Sequence, residues 1–216
     1  LAIIRGEILG ARRFDPRTSQ RTFKVCVSEV GAFLLVPRLL KLLAKRAPSA
    51  SLAPLDVPRA DIPAALESGA VDLAIGHYPE LKSSLFQQNL FVRSYSGIVA
   101  KSHPTVGARM TARQFQQIPI VRCTTTVAIN EWLDHHFAKS GPAPATALQT
   151  PYLMALATIV GATQWMAFVP DELLEPMQRL ASIRAVEVPV PVPRLAVKQY
   201  WHRRYKDDEA NRFLRT

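Results

Sequence analysis

From Thr22 onward, apolar and polar positions along the chain follow first a two-residue and then a 3.6-residue rhythm. "TFKVCV" (22–27) alternates and is rich in β-branched and aromatic residues, so it predicts a strand. Ser28 follows as a helix N-cap. "GAFLLVPRLLKLLAKRAP" (31–48) then predicts a helix. Val36, Leu39, Leu40, Leu43 and Ala47 fall on one face, and Arg38, Lys41 and Lys45 on another. Pro37 is expected to kink this helix or to set its true start, and Pro48 to end it. "SLAPLDV" (51–57) reads as a second strand. "DIPAALESG" (61–69) reads as a second helix with Asp61 as its cap and Gly69 just beyond its end. "VDLAIG" (71–76) is a third strand. Strand–helix–strand–helix–strand in this order is the pattern of a parallel sheet with right-handed crossovers.

The pattern then repeats. "LFVRSYSGIVAKSHP" (90–104) reads as one long extended stretch crossing from one half to the other. "TARQFQQIPIVRC" (111–123) predicts a short helix and a strand. "AINEWLDHHFAKSG" (128–141) predicts a helix with Gly141 past its end. "PYLMALATIVGATQWMAFVP" (151–170) predicts a helix, a turn at Gly161 and a buried strand. After "DELLEPMQRLASI" come the strand "RAVEVPV", a proline-broken run, a last strand "VKQYWHRRY" and the start of a helix at "DDEANRFLRT". Two such units are expected, at 22–98 with 194–216 and at 99–193. They are preceded by a linker, "FDPRTSQR" (14–21), and by a short helix at 1–13, where Leu1, Ile4, Ile8 and Ala11 make a narrow seam for a partner helix.

In parallel sheets ligands settle where the strands end and the connections diverge. Gly76, His77 and Tyr78 stand at such an end, as do Ser28 and Glu29, which open a helix. Thr124, Thr125 and Thr126 follow strand 118–123 and precede another helix, where hydroxyls and free N–H groups suit an anion. For His77 three readings stand together: general base, pocket lining and structural turn residue. Tyr152 is either pocket lining or packing, and Trp165 lines either core or pocket. His103, before Pro104, is expected to be a solvated turn residue, and Trp132 a core residue.

Composition narrows the function. Lys plus Arg is 27 against 17 Asp plus Glu, a formal charge of +10, but much of the excess sits near the two ends rather than in one patch with aromatic residues between. Direct nucleic-acid binding by these residues is therefore disfavoured. No apolar run is long enough to span a bilayer. The start is not a signal peptide, since its apolar run is short and broken by charges. Cys26 and Cys123 have no metal or CxxC spacing, which suits small buried residues in a reducing cytoplasm. The adjacent His135 and His136 point about 100° apart on a helix and do not share an ion easily, leaving an exposed polar face with Phe137 turned inward. No GxGxxG, P-loop, GxSxG or HExxH is present. No metal, cofactor or catalytic residue is expected. The abrupt ends at Leu1 and Thr216 suggest a part of something longer.

Taken together, the segments resemble the effector-binding part of LysR-type transcriptional regulators. "FDPRTSQRTFKVCVSE" resembles the family's linker and first regulatory strand, and "LVPRLLKLLAKRAPSASL" its first helix. "LESGAVDLAIG" is similar to its E-x-G-x-(V/L)-D-(L/V)-A-I stretch. "AKSHP" resembles its His-Pro turn, and "IVGATQWMAFVPDEL" its V-x-x-G-x-G-I-A-x-L-P element. "AVDLAIGHYPEL" and "YWHRRYKDDEANRFLR" are similar to the branch that answers aromatic compounds and nodulation flavonoids.

The resemblance implies an α/β fold of two Rossmann-like lobes joined by two crossover strands, as in type 2 periplasmic binding proteins. It implies a small aromatic inducer, with a carboxylate as one candidate form, bound between the lobes. It also implies a winged helix-turn-helix domain absent from this chain that contacts DNA, residues 1–13 as the end of a dimerising linker helix, assembly as dimers or tetramers, and a cytoplasmic, membrane-free protein with RNA polymerase as a further candidate partner. By position the inducer contacts fall on Ser28, Glu29, Gly76, His77, Tyr78, Thr124, Thr125, Thr126, Asn130, Tyr152, Gln164 and Trp165. Glu29 departs from several relatives, and a carboxylate there repels an acidic inducer unless a base pairs with it. Thr163-Gln164-Trp165 replaces a small, glycine-containing turn. A free-standing solute-binding protein shares the fold and differs in carrying an export signal and no dimerising helix; an enzyme on this scaffold is a third reading.

Overall fold

The computed structural model describes residues 14–81 and 85–216. The expected helix at 1–13 lies outside the described residues. Along the chain come β1 (Thr22–Val27), α1 (Glu29–Arg46), β2 (Ser51–Leu55), α2 (Ile62–Ser68), β3 (Leu73–Gly76) and β4 (Leu85–Arg93). These are followed by β5 (Tyr95–Ala100), α3 (Ala112–Gln117), β6 (Ile120–Cys123), α4 (Val127–Ser140), β7 (Thr146–Thr150), α5 (Ala155–Gly161), β8 (Met166–Pro170), α6 (Asp171–Leu180) and β9 (Ile183–Val186). The chain closes with β10 (Leu195–His202) and α7 (Glu209–Arg215). The residues form two compact units. The first runs to Asn89 and resumes at Lys198–Thr216, and the second is Leu90–Val197. The passages from one to the other therefore fall inside β4 and β10. The sequence sets the unit bounds at 98–99 and 193–194, and the resemblance sets the crossing strands near 90–100 and 194–202.

The first unit is built on a five-stranded sheet in the order β2-β1-β3-β10-β4. β1 pairs in parallel with β2 on one side and with β3 on the other, and β10 runs antiparallel to β3. Its core joins Cys26, Ile62, Leu66, Val71, Ala74 and Tyr200 in one cluster and Phe23, Leu43, Ala47 and Ala210 in another. Asp72, buried at 8% exposure, fastens three segments. Its carboxylate accepts from the Arg21 guanidinium at 2.5 Å and from the Lys24 N–H at 2.8 Å, and its carbonyl accepts from the Asn211 amide at 2.7 Å. Phe14, Phe23 and Phe213 meet with ring centroids 5.4–6.2 Å apart, packing the linker and α7 on the same core.

Gly69 ends α2 in the left-handed conformation, φ 76°, as a C-terminal glycine should. Asp61 makes no capping hydrogen bond, contrary to its expected role: the preceding turn is 3-10, and Pro63 at the start of α2 has no N–H to satisfy. Pro37 neither starts nor ends α1, which runs unbroken from its Ser28 cap to Arg46. Leu43 and Ala47 are buried as the periodicity indicates, but Leu40 is exposed, together with Phe33 and Leu42. The apolar arc of α1 is wider than its own sheet covers.

The second unit has the sheet β7-β6-β8-β5-β9. β6 pairs in parallel with β7 and β8, while β5 runs antiparallel to both β8 and β9. The stretch expected as one long strand is thus two, β4 and β5, in different sheets; the connection turns at Ser94, whose carbonyl accepts from the Asp171 N–H. β7, "TALQT", was not evident in the pattern because as an edge strand it is largely exposed. Thr111 and Gln114 form a reciprocal capping box at the start of α3. The core of this unit gathers Val99, Phe115, Ile120, Ile129, Leu133, Phe137, Met166 and Phe168, with Trp132 packed half-buried against it.

His103 is not a solvated turn residue. It is buried, its Nδ1 accepts the N–H groups of Thr105 and Val106 at 3.4 and 3.3 Å, and its Nε2 lies 3.1 Å from the Gln164 carbonyl. Both amides must donate, so the ring carries its proton on Nε2 and ties the turn after β5 to the turn before β8. Replacing His103 with leucine leaves three backbone groups unmatched. The expected loss is about 2 kcal/mol of unfolding free energy, read as a lower urea midpoint; an unchanged midpoint would contradict this role.

Candidate functional site

In each sheet the chain leaves a central strand to one side and later returns to the other, so two parallel strand ends diverge. In the first unit these are the ends of β1 and β3. Val27 lies opposite Ile75, so Ser28 and Gly76 follow on neighbouring strands. Ser28 caps α1, its hydroxyl accepting the Gly31 N–H at 3.4 Å. Glu29 is the exposed first residue of that helix, where a carboxylate is favoured by the helix dipole.

Gly76 has a reason other than ligand access. A methyl group there would stand 2.6 Å from two ring carbons of Tyr78 and 2.8 Å from its hydroxyl. The Tyr78 ring folds back over the end of its own strand. It packs 5.7 Å from the Tyr200 ring, with the Arg59 guanidinium 5.7 Å from its centroid. Tyr200 donates its hydroxyl to the Tyr78 carbonyl at 3.2 Å, and Arg59 is held by both oxygens of Glu80 at 2.8 Å. Burial pushes the Tyr78 phenol up, and the adjacent Cys26 adds to the effect. His77, half-buried, follows directly on the strand end.

In the second unit β6 ends at Cys123, opposite Thr150 at the end of β7. The Cys123 carbonyl accepts from the Thr126 hydroxyl at 2.9 Å and from the Asn130 amide at 2.7 Å. Thr126 and Asn130 thus spend their side chains on holding the turn into α4, and Thr126 is buried. Because Thr126 donates inward, the first N–H groups of α4 receive no side-chain cap. Thr124 and Thr125 are exposed beside them, with the Thr125 hydroxyl 3.1 Å from the Cys123 thiol. Tyr152, at 69% exposure, stands on the next turn, its N–H bonded to the Thr150 hydroxyl. Thr124, Thr125, Thr126, Asn130 and Tyr152 are therefore brought together.

Gln164 and Trp165 are not part of that group. They precede β8, and the next residue, Met166, is in register with Ile120 at the beginning of β6. They lie at the opposite end of the sheet, beside His103.

Three residues at the strand-end side escaped the sequence reading. Tyr95, buried, is level with Pro170 where β8 ends. Arg93 donates to Glu172 at 3.2 Å, and the other Glu172 oxygen is buried without a hydrogen-bond partner. Burial raises the Tyr95 phenol, while Arg93 opposes the shift. A lone arginine inside the apolar run "LFVRSY" was the available signal.

Residues 16–216 match the family model described as the LysR substrate binding domain. The chain belongs to that family. It is 30% identical over 202 residues to the HTH-type transcriptional activator NahR of Pseudomonas putida, covering 94% of this chain and 67% of that protein. The HTH-type transcriptional activator NagR of Ralstonia sp matches with the same identity and coverage. Among solved structures, a probable transcriptional regulator from Pseudomonas aeruginosa superimposes with a TM-score of 0.81 at 24% identity, over 98% of this chain and 70% of that one. The regulatory domain of MexT, a transcriptional activator of the same organism, gives 0.77 at 22%, over 92% and 96%. These two likenesses show a shared fold.

Proposed function

We propose that this chain is the inducer-sensing part of a LysR-type transcriptional activator, and that the strand-end group of its second unit contacts a small aromatic effector. The family match over residues 16–216 carries the reading. Its support in the geometry is the grouping of Thr124, Thr125 and Tyr152 at the open start of α4. Uncapped N–H groups and exposed hydroxyls suit a carboxylate or hydroxyl end, and the exposed Tyr152 ring offers a face for an aromatic body. In the first unit, considered by itself, Ser28 and Glu29 open a helix at the corresponding strand end, with Gly76, His77 and Tyr78 following the neighbouring strand, and these are the candidate contacts of that unit.

DNA contact belongs to a helix-turn-helix domain outside this chain, as the names of the two activators suggest. The reading places the protein in the cytoplasm and makes it a sensor rather than an enzyme. Among the described residues no helix is long and apolar enough to cross a membrane. Exposed Phe33, Leu40 and Leu42 on α1 fit self-association into dimers or tetramers. An inducer acts by binding one arrangement of the regulator better than another.

Tyr152→Ala is the cleanest test, since so exposed a ring contributes little to stability. In the regulator that carries this chain, the variant is expected to bind its DNA normally and to need about tenfold more inducer for half-maximal transcription. A wild-type dose response would remove Tyr152 from the site. Thr126→Val acts differently: it loosens the turn into α4, so a lowered unfolding midpoint should accompany any loss of response.

A further inference from the structure

At the end of the second sheet away from the strand-end group, a groove of about 660 Å3 is lined by Lys101 and residues 178–184. Lys101 directly follows β5, and β5 runs antiparallel to β8, so the groove lies where β6 and β8 begin. Val99 stands opposite Arg184, and the Lys101 N–H donates to the Ser182 carbonyl at 2.8 Å as the ladder runs out. Side chains alternate along strands, so Lys101, Ser182 and Arg184 project to the same side. Lys101 and Arg184 are then diagonal neighbours on two strands, close enough for such long side chains to share a partner.

Both cations lack a counter-ion. Arg184 donates to the carbonyls of Val106 and Gly107, the latter at 2.8 Å. Two carbonyls fix the guanidinium without neutralising its charge. Among the described residues, the ion pairs of this unit join Arg93 to Glu172, Arg109 to Glu187, Arg122 to Asp134 and Arg179 to Glu175, and none takes up Lys101 or Arg184. Like charges on neighbouring strands repel each other, and an anion between them removes that cost. The other side of the groove carries the last carbonyls of α6, where the helix dipole disfavours an anion and favours a hydroxyl donor. Leu180, 57% exposed, supplies an apolar flank.

We propose that this groove is a second ligand site, for a small molecule carrying a multiply charged oxyanion, phosphoryl or polycarboxylate, held by Lys101, Arg184 and the Ser182 hydroxyl. All three residues line the groove itself. A singly charged group gains little there, because exposed cations are screened by water and salt. Two charges meeting two cations gain more, and the Arg184 side is already held in place, so less freedom is lost on binding. Arg184 also ties β9 to the segment at Val106 and Gly107, so an occupied site fastens the connection after β5 and stabilises the unit. The site does not depend on the reading of Thr124, Thr125 and Tyr152 as effector contacts.

Calorimetric titration of the 216-residue chain with pyrophosphate, citrate and acetate in metal-free, low-salt buffer tests this. Pyrophosphate or citrate is expected to bind at least about tenfold tighter than acetate, and the tighter of the two identifies the oxyanion as phosphoryl or carboxylate. Lys101→Glu, at an exposed position, should weaken that binding by about tenfold or more. Arg184→Gln should do the same, with circular dichroism melting to establish that each variant is folded. Lys41→Glu makes an identical change of charge on exposed α1 of the first unit and should leave the affinity within about twofold. Absence of binding by both polyanions, affinity no better than that of acetate, or undiminished binding in folded Lys101→Glu overturns the proposal. Equal weakening by Lys41→Glu also overturns it, because the anion would then be answering the net charge of +10 and not a site. The sensor reading fails separately, through the transcriptional response of Tyr152→Ala.

Discussion

Gly76→Ala is expected to lower the unfolding free energy by about 2–3 kcal/mol, the cost of overpacking a filled site. The added methyl would sit 2.6–2.8 Å from three atoms of the Tyr78 side chain. The ring cannot step aside freely, because Tyr200 and Arg59 pack against it and the Tyr200 hydroxyl pins the Tyr78 carbonyl. The cause is steric and not conformational, since Gly76 is not among the glycines with positive φ. Gly76→Ala with Tyr78→Ala should therefore be less destabilised than the sum of the two single variants, by 1 kcal/mol or more on the scale of about 0.5–3 kcal/mol seen for residues in contact. Urea denaturation of the four proteins measures the coupling, and strict additivity would show that the glycine serves something other than the ring.

Asp72→Ala is expected to cost a similar amount, about 2–3 kcal/mol, the penalty for stranding buried partners of an ionised group. The carboxylate bonds the Lys24 N–H on β1 and the guanidinium of Arg21 in the segment before it. Without it the Lys24 amide loses its acceptor, and Arg21 keeps a longer contact of 3.8 Å to Asp208 and its place over the Phe23 ring, 5.7 Å from the centroid. Arg21→Ala should cost less, about 1 kcal/mol or under, because the Arg21 side chain is 37% exposed and water replaces much of what it gives. Equal destabilisation by the two variants would mean that the ion pair, and not the Lys24 amide, dominates the site.

Asp72 also shows what a motif conveys. Its place in "LESGAVDLAIG" was part of the family resemblance, yet nothing in that stretch reveals that its carboxylate serves Arg21 or that its carbonyl takes the amide of Asn211, 139 residues away. His103 is similar. The His-Pro turn was visible, but its partner is the Gln164 carbonyl, 61 residues on, and burial follows from that bond. At the candidate site Thr124 to Thr126 and Tyr152 were legible because strand ends and helix starts leave local marks. The exclusion of Gln164 and Trp165 from that group was not, because a turn reads alike at either end of a sheet and only strand direction and register distinguish the two.

The amino-acid order alone determined the elements that depend on neighbours within a turn or two: the periodicity of β1 and α1, the Ser28 cap, the left-handed Gly69 and the repeated strand–helix pattern of two units. Such features are set by backbone sterics and by the spacing of apolar residues, both of which are local. The tertiary structure decided which faces were covered, leaving Leu40 of α1 exposed, and gave Gly76 its purpose beneath the Tyr78 ring. It also set Tyr95, Arg93 and Glu172 beside one another. Those outcomes depend on which distant segments meet, and the short-range pattern of a chain carries little record of that.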